Sequence, residues 1–117
     1  MKTIRFEILP PFQKEFERLS RKFRSLPADF EYFRRRIITL DPTGPSQHRT
    51  VLHRSEQVCI VKGHLFCKAL RRDSLRIIYA WHGDRITIVW IEVYHKADKE
   101  NEDRRRIADY LRSLDAV

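Results

Sequence analysis

The densest chemical signal in the chain lies between Lys62 and Arg76. Lys62, Lys68, Arg71, Arg72 and Arg76 stand there against one acid, Asp73, an excess of four positive charges over fifteen residues, and His64 adds an imidazole. Further on, Tyr94, His95 and Lys96 bring an aromatic ring, a group that titrates near neutrality and a cation to one place. Cations interleaved with an aromatic ring meet the two demands of nucleic-acid binding, phosphate binding and base stacking. The whole chain shares the bias, with 24 Lys and Arg against 16 Asp and Glu, a net charge of +8 and a pI near 9.9. Arg34 to Arg36 and Arg104 to Arg106 read most simply as solvated helix faces. His48, His53 and His82 fall in loops and turns and receive no role.

These residues belong to a chain of 117 residues, the size of a single domain spanning residues 1–117. Its 42% hydrophobic content supplies one ordinary core, and 3 Gly and 5 Pro exclude collagen-like and disordered classes. The longest apolar-rich run, Ile86 to Val93, is too short for a membrane span and carries Thr87 and Glu92. The opening MKTIRFEILP lacks the uninterrupted apolar stretch and cleavage site of a signal peptide. A cytoplasmic protein without a membrane partner is the expectation. Cys59 and Cys67 then read as buried thiols; a zinc site drawn from Cys59, His64, Cys67 and His95 lacks the close-paired ligand spacing of structural zinc, so neither metal nor cofactor is expected.

The elements that must position the basic residues follow from periodicity. Thr3 to Ile8 alternates as a half-buried strand, with Ile4, Phe6 and Ile8 on one face. Pro11 suits a first helical turn, and Phe12, Phe16, Leu19, Phe23 and Leu26 recur every three or four residues as one stripe. A second helix opens at Pro27, with Phe30, Phe33, Ile37 and Leu40 as its stripe and Asp41-Pro42 as its stop. Residues 41–56 have no periodicity and read as a mobile loop. Strands follow at Gln57 to Lys62, His64 to Leu70, Leu75 to Trp81 and Arg85 to Tyr94, with a hairpin turn at His82-Gly83-Asp84. Trp81 and Trp90 read as core and sheet packing. Asp98 reads as the N-cap of a last helix that turns Ile107, Leu111 and Leu114 inward. No internal repeat is visible. The order predicts an α+β domain, an antiparallel sheet of three or four strands plus the N-terminal strand, with the helical hairpin and C-terminal helix on one face and the basic face left free.

The phrase LRIIYAWHGDRITIVWIEVYHKADKENEDRRRIADYL from Leu75 to Leu111, preceded by VKGHLFCKAL from Val61 to Leu70, resembles the RelE/ParE superfamily of toxins from bacterial toxin-antitoxin pairs. The resemblance covers nearly the whole chain. Its RelE branch implies a small ribonuclease that enters the ribosomal A site and cuts messenger RNA without a metal. The ParE branch instead implies a toxin that poisons DNA gyrase. Either implies an acidic antitoxin partner, and the RelE branch adds messenger and ribosomal RNA.

By position, the resemblance places Arg76 where the family holds the scissile phosphate and Lys62 on the strand that presents lysines to RNA. Lys96 falls near the arginine that ends the last strand, and Tyr94 and His95 near positions that supply a stacking ring or an acid-base group. Where RelE has its tyrosine, this chain reads Glu102-Asp103-Arg104. Metal-free cleavage directs the 2′-hydroxyl at the adjacent phosphate, and so needs a base, an acid and cations. Arg76 suits the last role because a guanidinium grips two phosphate oxygens and stays charged. His95 is the first choice for proton transfer, with Lys96 or Lys62 serving if desolvated. His64, Lys68, Arg71 and Arg72 complete the expected RNA-binding surface. The structural alternatives are Arg76 paired with Glu92, His95 capping a strand end and Tyr94 packing at a core edge.

Overall fold

The structure, a computed structural model, describes residues 3–38, 42–44, 48–71 and 73–115. Five strands form one mixed sheet in the order β1-β5-β4-β3-β2: β1 Arg5–Ile8, β2 Arg49–Arg54, β3 Cys59–Phe66, β4 Ser74–His82 and β5 Thr87–His95. Strands β2 to β5 run antiparallel in sequence order, the meander expected, though built from partly different strands. The N-terminal strand joins it by running parallel to β5, with Arg5 opposite Thr87 and Ile8 opposite Trp90.

Helices α1 (Pro10–Lys22) and α2 (Leu26–Phe33) form the expected hairpin, and α2 runs on into a π-helical turn at Arg34–Ile38. Pro at the start of each helix fits the missing N–H of a first turn. The stripe of α1 buries Phe12, Leu19 and Phe23 against Val61, Leu65, Leu75, Ile77, Tyr79, Ile88, Trp90 and Val93. Trp90 centres this layer, with the rings of Phe6, Phe12, Phe30, Phe33 and Tyr79 between 5.0 and 6.4 Å from its own. Trp81 packs at its margin, while Ile8, expected inward, is about half exposed at the strand end.

Four expectations are corrected. Helix α3 (Arg104–Asp115) packs on the opposite face from the hairpin, its Ile107, Tyr110, Leu111 and Leu114 against Val58, Ile60, Ile78, Ala80, Val89 and Ile91. The sheet is therefore covered on both sides, because β4 and β5 are apolar on both faces and each face needs a layer. Second, residues 49–54, read as loop, form the edge strand β2, whose register slips between Val51 and His53 and so breaks the alternation that would have announced it. Third, the strands expected at Gln57 to Lys62 and His64 to Leu70 are one strand, β3, followed by a 3₁₀ turn at Lys68–Leu70. Fourth, α3 starts at Arg104 rather than after Asp98. Its cap is Asp103, whose Oδ1 accepts from the Arg106 N–H at 3.0 Å. In the β4–β5 turn it is Ile86, not Gly83, that takes the positive φ, 48°. Leu40 and Asp41, assigned to the end of the second helix, lie outside the described residues.

β1 ends opposite Trp90, so β5 beyond it needs other partners. Arg106 NH1 donates to the Ile91 carbonyl at 3.0 Å, and Glu15 Oε1 accepts from the Val93 N–H at 3.3 Å. The two side chains also bind each other in a fork, at 2.8 and 2.9 Å. Arg106→Ala or Glu15→Ala strands the other charge in a partly buried place and should cost about 2 to 3 kcal/mol, read as a lower urea midpoint at unchanged slope.

Near the other end of α3, buried His82 shares a 2.5 Å hydrogen bond with Tyr110. Burial, reinforced by Arg85, holds the His82 imidazole below its ordinary 6.5. The unfolded chain then binds a proton that the folded one refuses. Stability should be full above about pH 6.5 and fall as pH drops from there toward the folded-state value. Urea midpoints at pH 7.5 and 5.5 should differ more in the parent than in His82→Gln.

Candidate nucleic-acid interface

The sheet register assembles the basic residues into rows. His64 lies opposite Arg76 and Arg76 opposite Tyr94, so these three sit side by side across β3, β4 and β5. In the next row are Lys62, Ile78 and Glu92. Alternate residues of a strand share a face, and these rows continue the face whose other end is covered by α3 at Ile60, Ala80 and Val89.

Arg76 is half-buried, and its NH1 donates to the Ser74 carbonyl at 3.0 Å and to Ser74 Oγ at 2.8 Å. The surrounding acids are engaged elsewhere. Glu102 faces Lys62 at 3.5 Å; Glu92 pairs with Lys99 and accepts from the Asp103 N–H at 2.8 Å; Asp73 takes His95 at 3.1 Å and the Ser74 N–H at 2.7 Å. Pairing of Arg76 with Glu92 is therefore not formed, and among the described residues no carboxylate makes an ion pair with Arg76. Its remaining donors are those that a planar, two-oxygen anion would use.

On one side of Arg76 the His64 imidazole is held below 6.5, first by burial and then by the positive charges of Arg76, His48 and Lys62. It is neutral at neutral pH and can accept a proton. On the other side Tyr94 is 3% exposed, and its hydroxyl makes no hydrogen bond among the described residues. Burial, together with Glu102 and Glu92, pushes it up to about 12, so it keeps its proton. Its ring, buried and with Lys99 Nζ 5.2 Å from its centre, offers no open stacking face.

His95, grouped by sequence with Tyr94, is on the opposite face. It lies beside Leu75, its ring edge-on to Phe23 at 5.4 Å and its Nε2 at Asp73. Asp73 is held below its ordinary range by the Ser74 N–H first and by His95 second. Lys96 is exposed in the turn after β5, and Lys68 and Arg71 are exposed past the end of β3, toward α2. Arg72 lies outside the described residues. Two buried acids of the site were given no such role by sequence: Glu92, fully buried and read only as a partner for Arg76, and Glu102, with 4% of its side chain exposed. The signal for Glu92 was there, since an acid inside the apolar run Ile91 to Val93 must have a charged partner.

Fold and site together define a basic α+β domain with an arginine poised for an anion, between a neutral imidazole and a protonated phenol. No family model matches the sequence, and no curated protein matches it. Solved structures do: the archaeal RelE–RelB complex from Pyrococcus horikoshii OT3 matches with a TM-score of 0.59 at 17% identity, covering 80% of this chain and 94% of that one. A mutant of the E. coli toxin RelE in the free state matches at 0.51 and 14%, covering 85% and 90%. The chain has the RelE fold.

Because the second cause of the low His64 value is the neighbouring guanidinium, Arg76→Ala should raise the His64 midpoint toward 6.5. Proton NMR titration of the imidazole checks it. A midpoint that stays put would separate the two side chains.

Proposed function

We propose that this protein is a RelE-like toxin of a toxin-antitoxin pair, an endoribonuclease that cuts messenger RNA at the ribosome in the cytoplasm. The observation that carries the reading is the row His64–Arg76–Tyr94, in which the arginine pairs with no carboxylate among the described residues while the acids around it are engaged. The RelE fold and the net charge of +8 support it.

The reaction is transfer to the 2′-hydroxyl. His64, neutral at physiological pH, takes the hydroxyl proton; the 2′-oxygen attacks phosphorus and forms a 2′,3′-cyclic phosphate; the bond to the 5′-oxygen breaks, and that oxygen takes up a proton. Arg76 holds the phosphate oxygens as their charge grows. Lys62, kept in place by Glu102, adds a second cation and, with Tyr94, is a proton donor on this face. His95 moves from first choice as the base to a support of the β4–β5 end, because the pleat turns it away from Arg76. An acidic antitoxin, as in the RelE–RelB pairing, would set carboxylates against the same cations.

In a reconstituted translation system Arg76→Ala should lower message cleavage by about 10²-fold or more. His64→Gln should do likewise and remove the acidic limb of the pH–rate profile, which in the parent lies below 6.5 because cleavage is lost as His64 protonates. His95→Gln should cleave nearly as the parent does. Toxicity that survives Arg76→Ala with messages intact, beside inhibited supercoiling by gyrase, would replace this reading with the ParE-like one.

A further inference from the structure

Beyond the Arg76 row, the surface dips at the end of the sheet between α2 and the turn after β3. The depression holds about 490 Å³, within the range of small-ligand sites, and is lined by Asp29, Tyr32, Phe66, Lys68, Arg71 and Asp73. Two aromatic side chains stand open in it, Tyr32 at 62% and Phe66 at 55% exposure, and neither belongs to a core cluster. Its acids are tied down, Asp29 by the Lys68 N–H at 2.9 Å and Asp73 by Ser74 and His95. Its cations are not: among the described residues, neither Lys68 nor Arg71 forms an ion pair. Arg71 is held at φ 56°, ψ −84°, a backbone conformation that side-chain-bearing residues rarely adopt and that gathers at ligand sites. Arg36 adds a guanidinium 5.8 Å from the Tyr32 ring centre.

The depression joins the Arg76 row through a path of rings. His64, opposite Arg76, lies 5.9 Å from the ring of His48, and His48 meets Phe66 edge-on at 5.1 Å. An extended strand with its phosphate at Arg76 would pass along these rings toward Tyr32. We propose that the depression is a second RNA subsite, which takes one unstacked base of that strand against Tyr32 and Phe66 and its neighbouring phosphate on Lys68 and Arg71. Exposed rings beside cations that pair with no acid among the described residues suit a nucleotide, whose base stacks while its phosphate is neutralised, and a purine above a pyrimidine because its face is larger. The inference rests on the RNA reading above.

The test uses a short 2′-O-methyl RNA, which lacks the attacking hydroxyl and so reports binding without cleavage. Fluorescence anisotropy measures it intact and with an abasic residue at each position in turn, on the parent and on Tyr32→Ala/Phe66→Ala. One abasic position should weaken binding to the parent about tenfold or more. The same change should weaken binding to the double variant little, because the rings it would have met are gone. Two losses that simply add would overturn the subsite. So would a double variant that binds RNA as the parent does but loses the co-encoded antitoxin, which would make the depression a seat for a peptide side chain. Both substituted residues are exposed, and matching circular dichroism excludes a folding defect. The subsite and the cleavage reading fail separately. Base-dependent binding in a protein that cuts no message keeps the subsite alone, whereas Arg76-dependent cutting with additive losses keeps the nuclease alone.

Discussion

The fork between Glu15 and Arg106 settles where everything else can sit. A strand edge left half open is a liability, since its N–H and C=O groups must find partners or desolvate unpaired. Here β1 is too short to cover β5, and the remaining edge is closed by a carboxylate from α1 and a guanidinium from α3. These helices lie on opposite faces of the sheet. The ion pair thus ties both layers around one edge while standing in for a missing strand. It also sets the start of α3, and with it the segment from Glu102 to Asp103 that reaches Lys62 and Glu92.

The electrostatics of the Arg76 row follow from that placement. Glu92 and Glu102 are buried and would be costly alone, so each needs a cation close by. Lys99 and Lys62 supply them. With these carboxylates and Asp73 occupied, no acid among the described residues pairs with Arg76, which folds one amino group onto Ser74. A chain whose charges were merely scattered would have quenched this arginine with the nearest acid. Burial of two acids beside two lysines keeps it available.

Much of this was legible in the residues. The α1 stripe, the runs of β4 and β5, and the basic stretch from Lys62 to Arg76 all report one-dimensional periodicity, which a sequence displays directly. What could not be read is sidedness. In β5 eight of nine residues are buried, so apolarity does not say which side chains face the hairpin and which face α3. Tyr94-His95-Lys96 is compact as a string, yet the pleat sends its first two members to opposite faces. His64, by contrast, shares the parity of Lys62 and lies opposite Arg76, which identifies it once strand register is known. β2 was hidden by its bulge. Asp103, not the expected Asp98, caps α3, and its N–H is held by Glu92 of β5, a contact that local sequence does not display.

The same geometry separates stability from chemistry. Trp90 and its rings hold the hairpin layer, and Ile107 with its neighbours holds the α3 layer, while the His82–Tyr110 bond and the Glu15–Arg106 fork pin α3 at two places. Arg76, His64, Tyr32 and Phe66 belong to neither cluster. Truncating them opens no cavity in either layer, and large costs of substitution come from such cavities or from stranded buried charge. Arg76, His64, Tyr32 and Phe66 can therefore be altered on a scaffold that stays folded, which makes a loss of function there attributable to the side chain itself. Lys62 is the exception, because removing it leaves Glu102 buried without its cation; a change there acts on the fold and the site together.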